Sequence, residues 1–365
     1  MHPSTTPASP APVKATLLAT FAAGLAAALI AVPLLAQERG GRPSRECIRE
    51  IVSLCGRDRA QIPACIAEKA SQLSDGCRSE VEQRMEARAG QAGRRGTPSG
   101  TPSGEAMQPT AKVSRTIFYG QDRRQQIDVY VPGDAVDDLP LVLFVHGGGW
   151  QRGSHKQVQA KPAHFNKANY VFASTGYRVL PEAPVEQQAQ DVGAAVQALR
   201  AQAVSIGLDP DRIVLMGHSA GAHLAALVAT DPQYAGDAFG SIKGVVLLDG
   251  AGYDIAARMA MIGPQQAGTY ERAFSTDPAR QKQLSPLTHV SQGDAPHWLA
   301  LYVDTRPVAE MQAQDLSAAL VSAGSEAKAV AIADTDHGRM NRELGTKAGA
   351  AQTEAVDQFL ARIFS

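Results

Sequence analysis

The sequence predicts an α/β fold, a mainly parallel eight-stranded sheet covered by helices on both faces and preceded by a small cysteine-containing helical hairpin. Three observations predict it. Beyond about residue 112, short apolar runs alternate with stretches of helical period. Two of those runs, Leu141-Val142-Leu143-Phe144-Val145 and Gly244-Val245-Val246-Leu247-Leu248, are continuously apolar, as strands are when helices cover both sheet faces. All four cysteines, Cys47, Cys55, Cys65 and Cys77, fall within one short stretch whose apolar residues Ile48, Ile51 and Val52 recur at helical spacing.

Four segments follow along the 365 residues: 1–36, 37–89, 90–111 and 112–365. From Ala15 to Ala36 the chain is uncharged and rich in Ala and Leu, after an N-terminal region whose one firm positive side chain is Lys14. That pattern is expected of a secretory signal cleaved after Ala36. The length of residues 15–36 also permits an uncleaved membrane anchor, since about 20 apolar residues span a bilayer. Pro33, the weak hydrophobicity of Ala and the downstream Arg39, Arg42, Arg45 and Arg49 favour cleavage. Either reading places the remainder outside the cytoplasm, periplasmic or secreted.

In residues 37–89, breaks at Gly56 to Pro63 and at Asp75-Gly76 divide the helical pattern in two. Folded as an antiparallel hairpin, it would nest Cys55 with Cys65 inside Cys47 with Cys77, although four cysteines allow three connectivities. Zinc is the competing reading. The spacings of eight, ten and twelve residues lack the close C-x-x-C pair that usually holds it. An accessory role, docking a protein partner or tethering to the envelope, is expected of this segment. Residues 90–111 repeat Thr-Pro-Ser-Gly without apolar period, the composition of a flexible linker.

Strands are expected at about 113–119, 125–131, 141–145, 171–175, 212–216, 244–249, 298–303 and 328–333. Between two of them, Val185, Ala189, Val192, Val196 and Leu199 form one helical stripe. In such a sheet the site lies at the carboxyl ends of the strands. A net charge of -1 supplies no basic field for phosphate, so nucleic acid is not expected and small molecules are.

Two motifs sit at strand ends. Gly217-His218-Ser219-Ala220-Gly221 matches G-x-S-x-G, a sharp strand-to-helix turn in which glycines permit close backbone packing and the serine hydroxyl projects. Arg212 to Met216 reads as the strand before it, and Ala222 to Thr230 as the helix after it. His146-Gly147-Gly148-Gly149-Trp150 follows the apolar strand ending at Val145 and offers bare backbone N–H groups of the kind that stabilise a tetrahedral oxyanion.

With Tyr177-Arg178, Asp191 and Asp209-Pro210-Asp211-Arg212, these motifs make residues 112–365 resemble the HGGG-type esterase and lipase branch of the α/β-hydrolase superfamily, including hormone-sensitive-lipase-like carboxylesterases and arylformamidase-like enzymes. The resemblance implies a Ser219 nucleophile, with oxyanion donors from Gly148 and Gly149, or from Gly147 in another register, and from Ala220. Relatives often carry Asn-Tyr-Arg where this chain has Gly176-Tyr177-Arg178, so a supporting contact is expected to be missing. His337 follows the last strand, where the fold returns its base. His289 and His297 are the competitors left once histidines of the leader, of the motifs and upstream of the acid are set aside.

Asp304, ending the strand 298–303, is the expected acid. Relatives often place the acid before a Pro-Val pair, where this chain has Arg306, so Asp249 at the end of the preceding strand is an alternative and Glu310 a weaker one. Trp150 and His218 are candidate substrate contacts, and residues 251–290 either line a pocket or pack as surface helix. No metal or organic cofactor is expected. With the leader and the clustered cysteines, the expectation is an exported enzyme, and the resemblance implies a serine carboxylesterase for short or medium acyl esters, with an arylformamidase-like or aryl-ester hydrolase as the alternative. A hydrolase fold that binds without turnover is the rival, favoured if neither aspartate reaches His337.

Overall fold

The computed structural model describes residues 44–55, 65, 69, 72–74, 76–78, 111–133 and 138–364. The chain divides into two units, Met1–Glu105 and Ala106–Ser365. The leader reading, residues 1–36, and the linker reading, residues 90–111 except for Ala111, lie outside the described residues. Among those described, no helix is long and apolar enough to cross a membrane.

In the first unit a helix, Arg45–Cys55, carries Glu46 in its first turn, favourable to the helix dipole. Cys47, Ile51, Leu73 and Cys77 form its apolar cluster. Among the described residues this cluster is small, and covalent closure adds to it. Disulfides join Cys47 to Cys77 and, nested inside, Cys55 to Cys65. Closing loops of 30 and 10 residues removes about 3 kcal/mol of unfolded-chain entropy each. Ser74 donates from its N–H and, at 2.7 Å, from its hydroxyl to the Glu50 carboxylate, which lowers the Glu50 pKa.

The second unit is built on one sheet: β1 (Arg115–Phe118), β2 (Gln126–Tyr130), β3 (Leu139–Val145), β4 (Val171–Thr175), β5 (Leu208–His218), β6 (Ile242–Leu248), β7 (His297–Val303) and β8 (Glu326–Ile332). The spatial order is β1-β2-β4-β3-β5-β6-β7-β8. β1 and β2, and β2 and β4, pair antiparallel; the remaining neighbours are parallel. β5 starts four residues earlier than its apolar pattern suggests, because Leu208 pairs with Leu139 before a register shift that skips residues 209–212.

Alternation along the strands separates two cores. Leu141, Leu143, Leu215, Val245 and Ala300 face one layer with the helices Val185–Ala201, Ala220–Thr230 and Pro307–Ser322. Val142, Phe144, Val214, Val246 and Leu301 face the other, with Phe165 and with Phe359 and Leu360 of the helix Ala350–Phe364. Burial on both sides is why β3 is apolar at every position. Since β4 lies on one side of β3 and β5 on the other, successive connections diverge there, opening a crevice at the carboxyl ends.

Candidate active site

Ser219 leaves β5 with φ 56°, a conformation a non-glycine side chain adopts only when its surroundings impose it. The helix Ala220–Thr230 begins at the next residue. A Cβ on Gly217 would stand 2.2 Å from the Gly221 carbonyl oxygen, and one on Gly221 2.1 Å from that of Val145. Bare Cα atoms at both positions let strand and helix meet closely enough to hold the serine at the bend.

His337 opens the helix His337–Arg342, capped by Asp336, whose carboxylate accepts from Gly338 and Arg339 N–H at 2.8 Å. Two buried side chains fix that helix from below. His218 Nε2 donates to the His337 carbonyl at 2.8 Å, and Lys161 Nζ to that of Asn341 at 2.7 Å. The imidazole thereby meets Ser219, whose Oγ donates to Nε2 at 3.0 Å. His289 and His297 lie elsewhere, against the Gln283 carbonyl and Glu326.

The carboxylate on the far side of the imidazole is Asp249, not Asp304. His337 Nδ1 donates to Asp249 Oδ2 at 2.6 Å. Asp249 follows β6 directly, with φ 49°, its N–H on the Leu301 carbonyl and its Oδ1 accepting from Val303 N–H at 3.1 Å. Asp304 is exposed, its N–H bound to the Ile332 carbonyl. It lies one residue past the end of β7 and makes no hydrogen bond to His337. Glu310 accepts from Tyr302 and Gln314 instead.

Arg306, at the position where relatives often carry the acid, donates to Asp249 Oδ2 and lies 2.9 Å from His337 Nδ1. Burial pushes the Asp249 carboxyl up, but the His337 hydrogen bond, the Arg306 charge and the Val303 N–H together hold it below its usual value. Arg306 itself was not legible as a site residue; the one signal was the mismatch before Pro307-Val308.

Across from the serine, Gly148 has φ 137°, and a Cβ there would lie 1.9 Å from the Arg152 carbonyl oxygen. Gly147 passes so close that a Cβ would stand 3.1 Å from that of Ser219. Among the described residues the N–H groups of Gly148, Gly149 and Ala220 have no partner, the condition for binding an oxygen that gains charge. Tyr177 supports this loop by donating to the His146 carbonyl at 2.7 Å, and Asp191 clamps Arg178 at 2.6 Å. In place of an asparagine at position 176, the Arg124 backbone approaches, its oxygen 2.3 Å from where a Gly176 Cβ would be.

A cleft of about 480 Å³ runs over Ser219, His337, His218 and the three glycines. His218 does line it, though its Nε2 is committed to His337, and burial with the neighbouring His337 pushes its pKa down to about 3. Trp150 does not line it. The indole is 3 % exposed, donates to His223 Nδ1 at 3.2 Å and meets Phe274, Tyr270 and His223 edge-on. Its size and its φ of 60° turn it into the core, where it anchors the glycine loop. Tyr253, Tyr270 and Phe274 of the 251–290 insertion are likewise core, while Met261 is exposed.

A serine hydroxyl bonded to an imidazole, itself held by a buried carboxylate and facing free N–H groups, is an arrangement able to activate a hydroxyl for acyl transfer. Fold and site define an α/β-hydrolase of the esterase and arylformamidase type, acting on carboxylic ester or related amide bonds. The chain belongs to the BD-FAE family, whose sequence profile matches residues 127–320. It is 30 % identical over 229 residues to kynurenine formamidase of Danio rerio, covering 62 % of this chain and 75 % of that protein. It is 36 % identical over 118 residues to carboxylesterase NlhH of Mycobacterium tuberculosis, covering 32 % of this chain and 36 % of that one. The apo form of Thermogutta terrifontis esterase 2 superposes with a TM-score of 0.59 at 24 % identity, covering 71 % of this chain and 98 % of that chain.

Proposed function

We propose that the chain is an exported serine carboxylesterase that cleaves short or medium acyl esters through an acyl-enzyme on Ser219. The observation that carries this reading is the continuous chain from Ser219 Oγ through His337 to Asp249, with links of 3.0 and 2.6 Å. His337 takes the serine proton as Oγ attacks the acyl carbon, then returns it to the leaving alcohol; water repeats the two steps and frees the acid. The N–H groups of Gly148, Gly149 and Ala220 receive the charge on the carbonyl oxygen. Asp249, rather than Asp304, holds the imidazole tautomer and balances the imidazolium.

Export is supported by the two disulfides, stable in an oxidising compartment, and by the signal-like composition of residues 15–36. We further propose four parts, 1–36 as leader, 37–89 as an accessory hairpin, 90–111 as linker and 112–365 as the catalytic domain. A second reading, hydrolysis of an aryl formamide by the same groups, is favoured by the likeness to kynurenine formamidase, of which the match covers 75 %.

The test is turnover of p-nitrophenyl acetate, p-nitrophenyl butyrate and an N-formyl arylamine. Wild type should hydrolyse at least one, and Ser219→Ala should lose roughly 10⁶-fold in kcat. An acyl adduct trapped on Ser219 would place the intermediate. Inactivity of the wild type on all three would favour the ligand-binding alternative.

A further inference from the structure

A second cavity, about 530 Å³, is lined in part by Arg306, the residue that contacts Asp249 and His337. Its walls include Arg258, Gln266, Arg306, Val308 and Ala309. Arg258 is 6 % exposed, donates to Gln266 Oε1 at 2.5 Å and to Tyr270 Oη at 3.3 Å, and lies over the Tyr270 ring. Those partners are neutral, and among the described residues no carboxylate pairs with it. A guanidinium withdrawn from water without a counter-charge is costly unless something anionic arrives to meet it.

The opposite wall adds to the same sign. Pro307–Ser322 is a helix of 16 residues whose N-terminus has no side-chain cap, and Val308 and Ala309 in its first turn face the cavity. The first-turn acid, Glu310, is turned to Tyr302 and Gln314. Arg306, at the N-cap, is paired with Asp249, so it contributes position more than charge. Arg258 and free helix-end N–H groups thus converge on one space, whose wall also includes Arg306, 2.9 Å from His337 Nδ1.

We infer that this cavity binds a carboxylate carried by the substrate, at the end of the acyl chain or on the alcohol. The inference rests on the proposed ester hydrolysis and narrows its substrate class to esters with a free acid group. Arg258 supplies the guanidinium fork and the helix end supplies N–H donors, while the ester carbonyl reaches Ser219 past His337.

The experiment compares kcat/KM for two pairs on the full-length chain: monomethyl glutarate against methyl butyrate, and acetoxyacetate against propyl acetate. Wild type should favour the charged member of one pair at least tenfold, expressed in KM. Arg258→Gln should bring that ratio close to one. Val308→Asp, which installs a resident carboxylate at a helix position that tolerates it, should do the same without removing a buried side chain. No preference in either pair, or a preference that survives both variants, overturns the inference. If no ester is hydrolysed, the catalytic proposal fails separately. Calorimetry with glutarate then decides the cavity: binding to wild type that Val308→Asp abolishes supports it, and no binding to wild type overturns it.

Discussion

The carboxylate that meets His337 leaves the sheet from β6, and a cation stands where relatives often put the acid. On the proposed mechanism, Asp249→Asn should lower kcat by about 10⁴ by presenting the wrong partner to Nδ1, whereas Asp304→Asn should leave it within about twofold. Ester turnover by the two purified variants decides between them. Asp249 also carries a pH signature. Its folded pKa lies below the 3.8 of a free carboxyl, so its stabilising contribution is complete above that value and disappears as pH falls through the folded one. The sequence exposed Ser219 and His337 through motif and order, because a tight elbow and a last-strand loop are local features. It could not rank the two aspartates, since both end strands, and what separates them is which loop bends back toward the imidazole.

Among elements, the bend between β5 and the helix Ala220–Thr230 has the least tolerance. A methyl on Gly221 would intrude on the Val145 carbonyl, so Gly221→Ala should destabilise by about 3 kcal/mol or more, read as a lower urea midpoint. Gly240→Ala, with nothing within 4 Å of the added carbon, should leave that midpoint within about 0.5 kcal/mol of wild type. Equal effects would show that the close approach at the elbow is not what limits it. The strands themselves were legible from continuous apolar runs. Their ends were not, as β5 shows, where polar Asp209 and the missing N–H of Pro210 interrupt the pattern although pairing resumes before them. Trp150 was misread for a related reason: a residue beside a catalytic loop looks like a pocket wall until its φ sends the side chain inward.

For the molecule as a whole, four buried imidazoles, His146, His155, His218 and His223, contribute to the response to acid, each held below its ordinary pKa by burial. Burial pushes His146 and His223 down to about 4 and His218 to about 3, against 6.5 when free. The unfolded chain therefore takes up protons below pH 6.5 that the folded chain refuses. Stability contributed by the neutral rings is full above 6.5 and is lost as pH falls toward 4, by about 1.4 kcal/mol per pH unit per ring where the difference is complete. Urea unfolding at pH 7.5, 5.5 and 4.5 should show this, and His223→Gln should make the slope shallower. An unchanged slope would mean that His223 does not stay neutral in the folded state.

Every sulfhydryl in the chain belongs to the four residues from Cys47 to Cys77, and all four are cross-linked. Residues 106–365 contain no cysteine. Millimolar dithiothreitol should therefore unlace the first unit and leave ester turnover where it was, and iodoacetamide should find nothing to alkylate in the second. Maturation of the two units answers to different chemistry, one waiting on an oxidant and the other on burial alone.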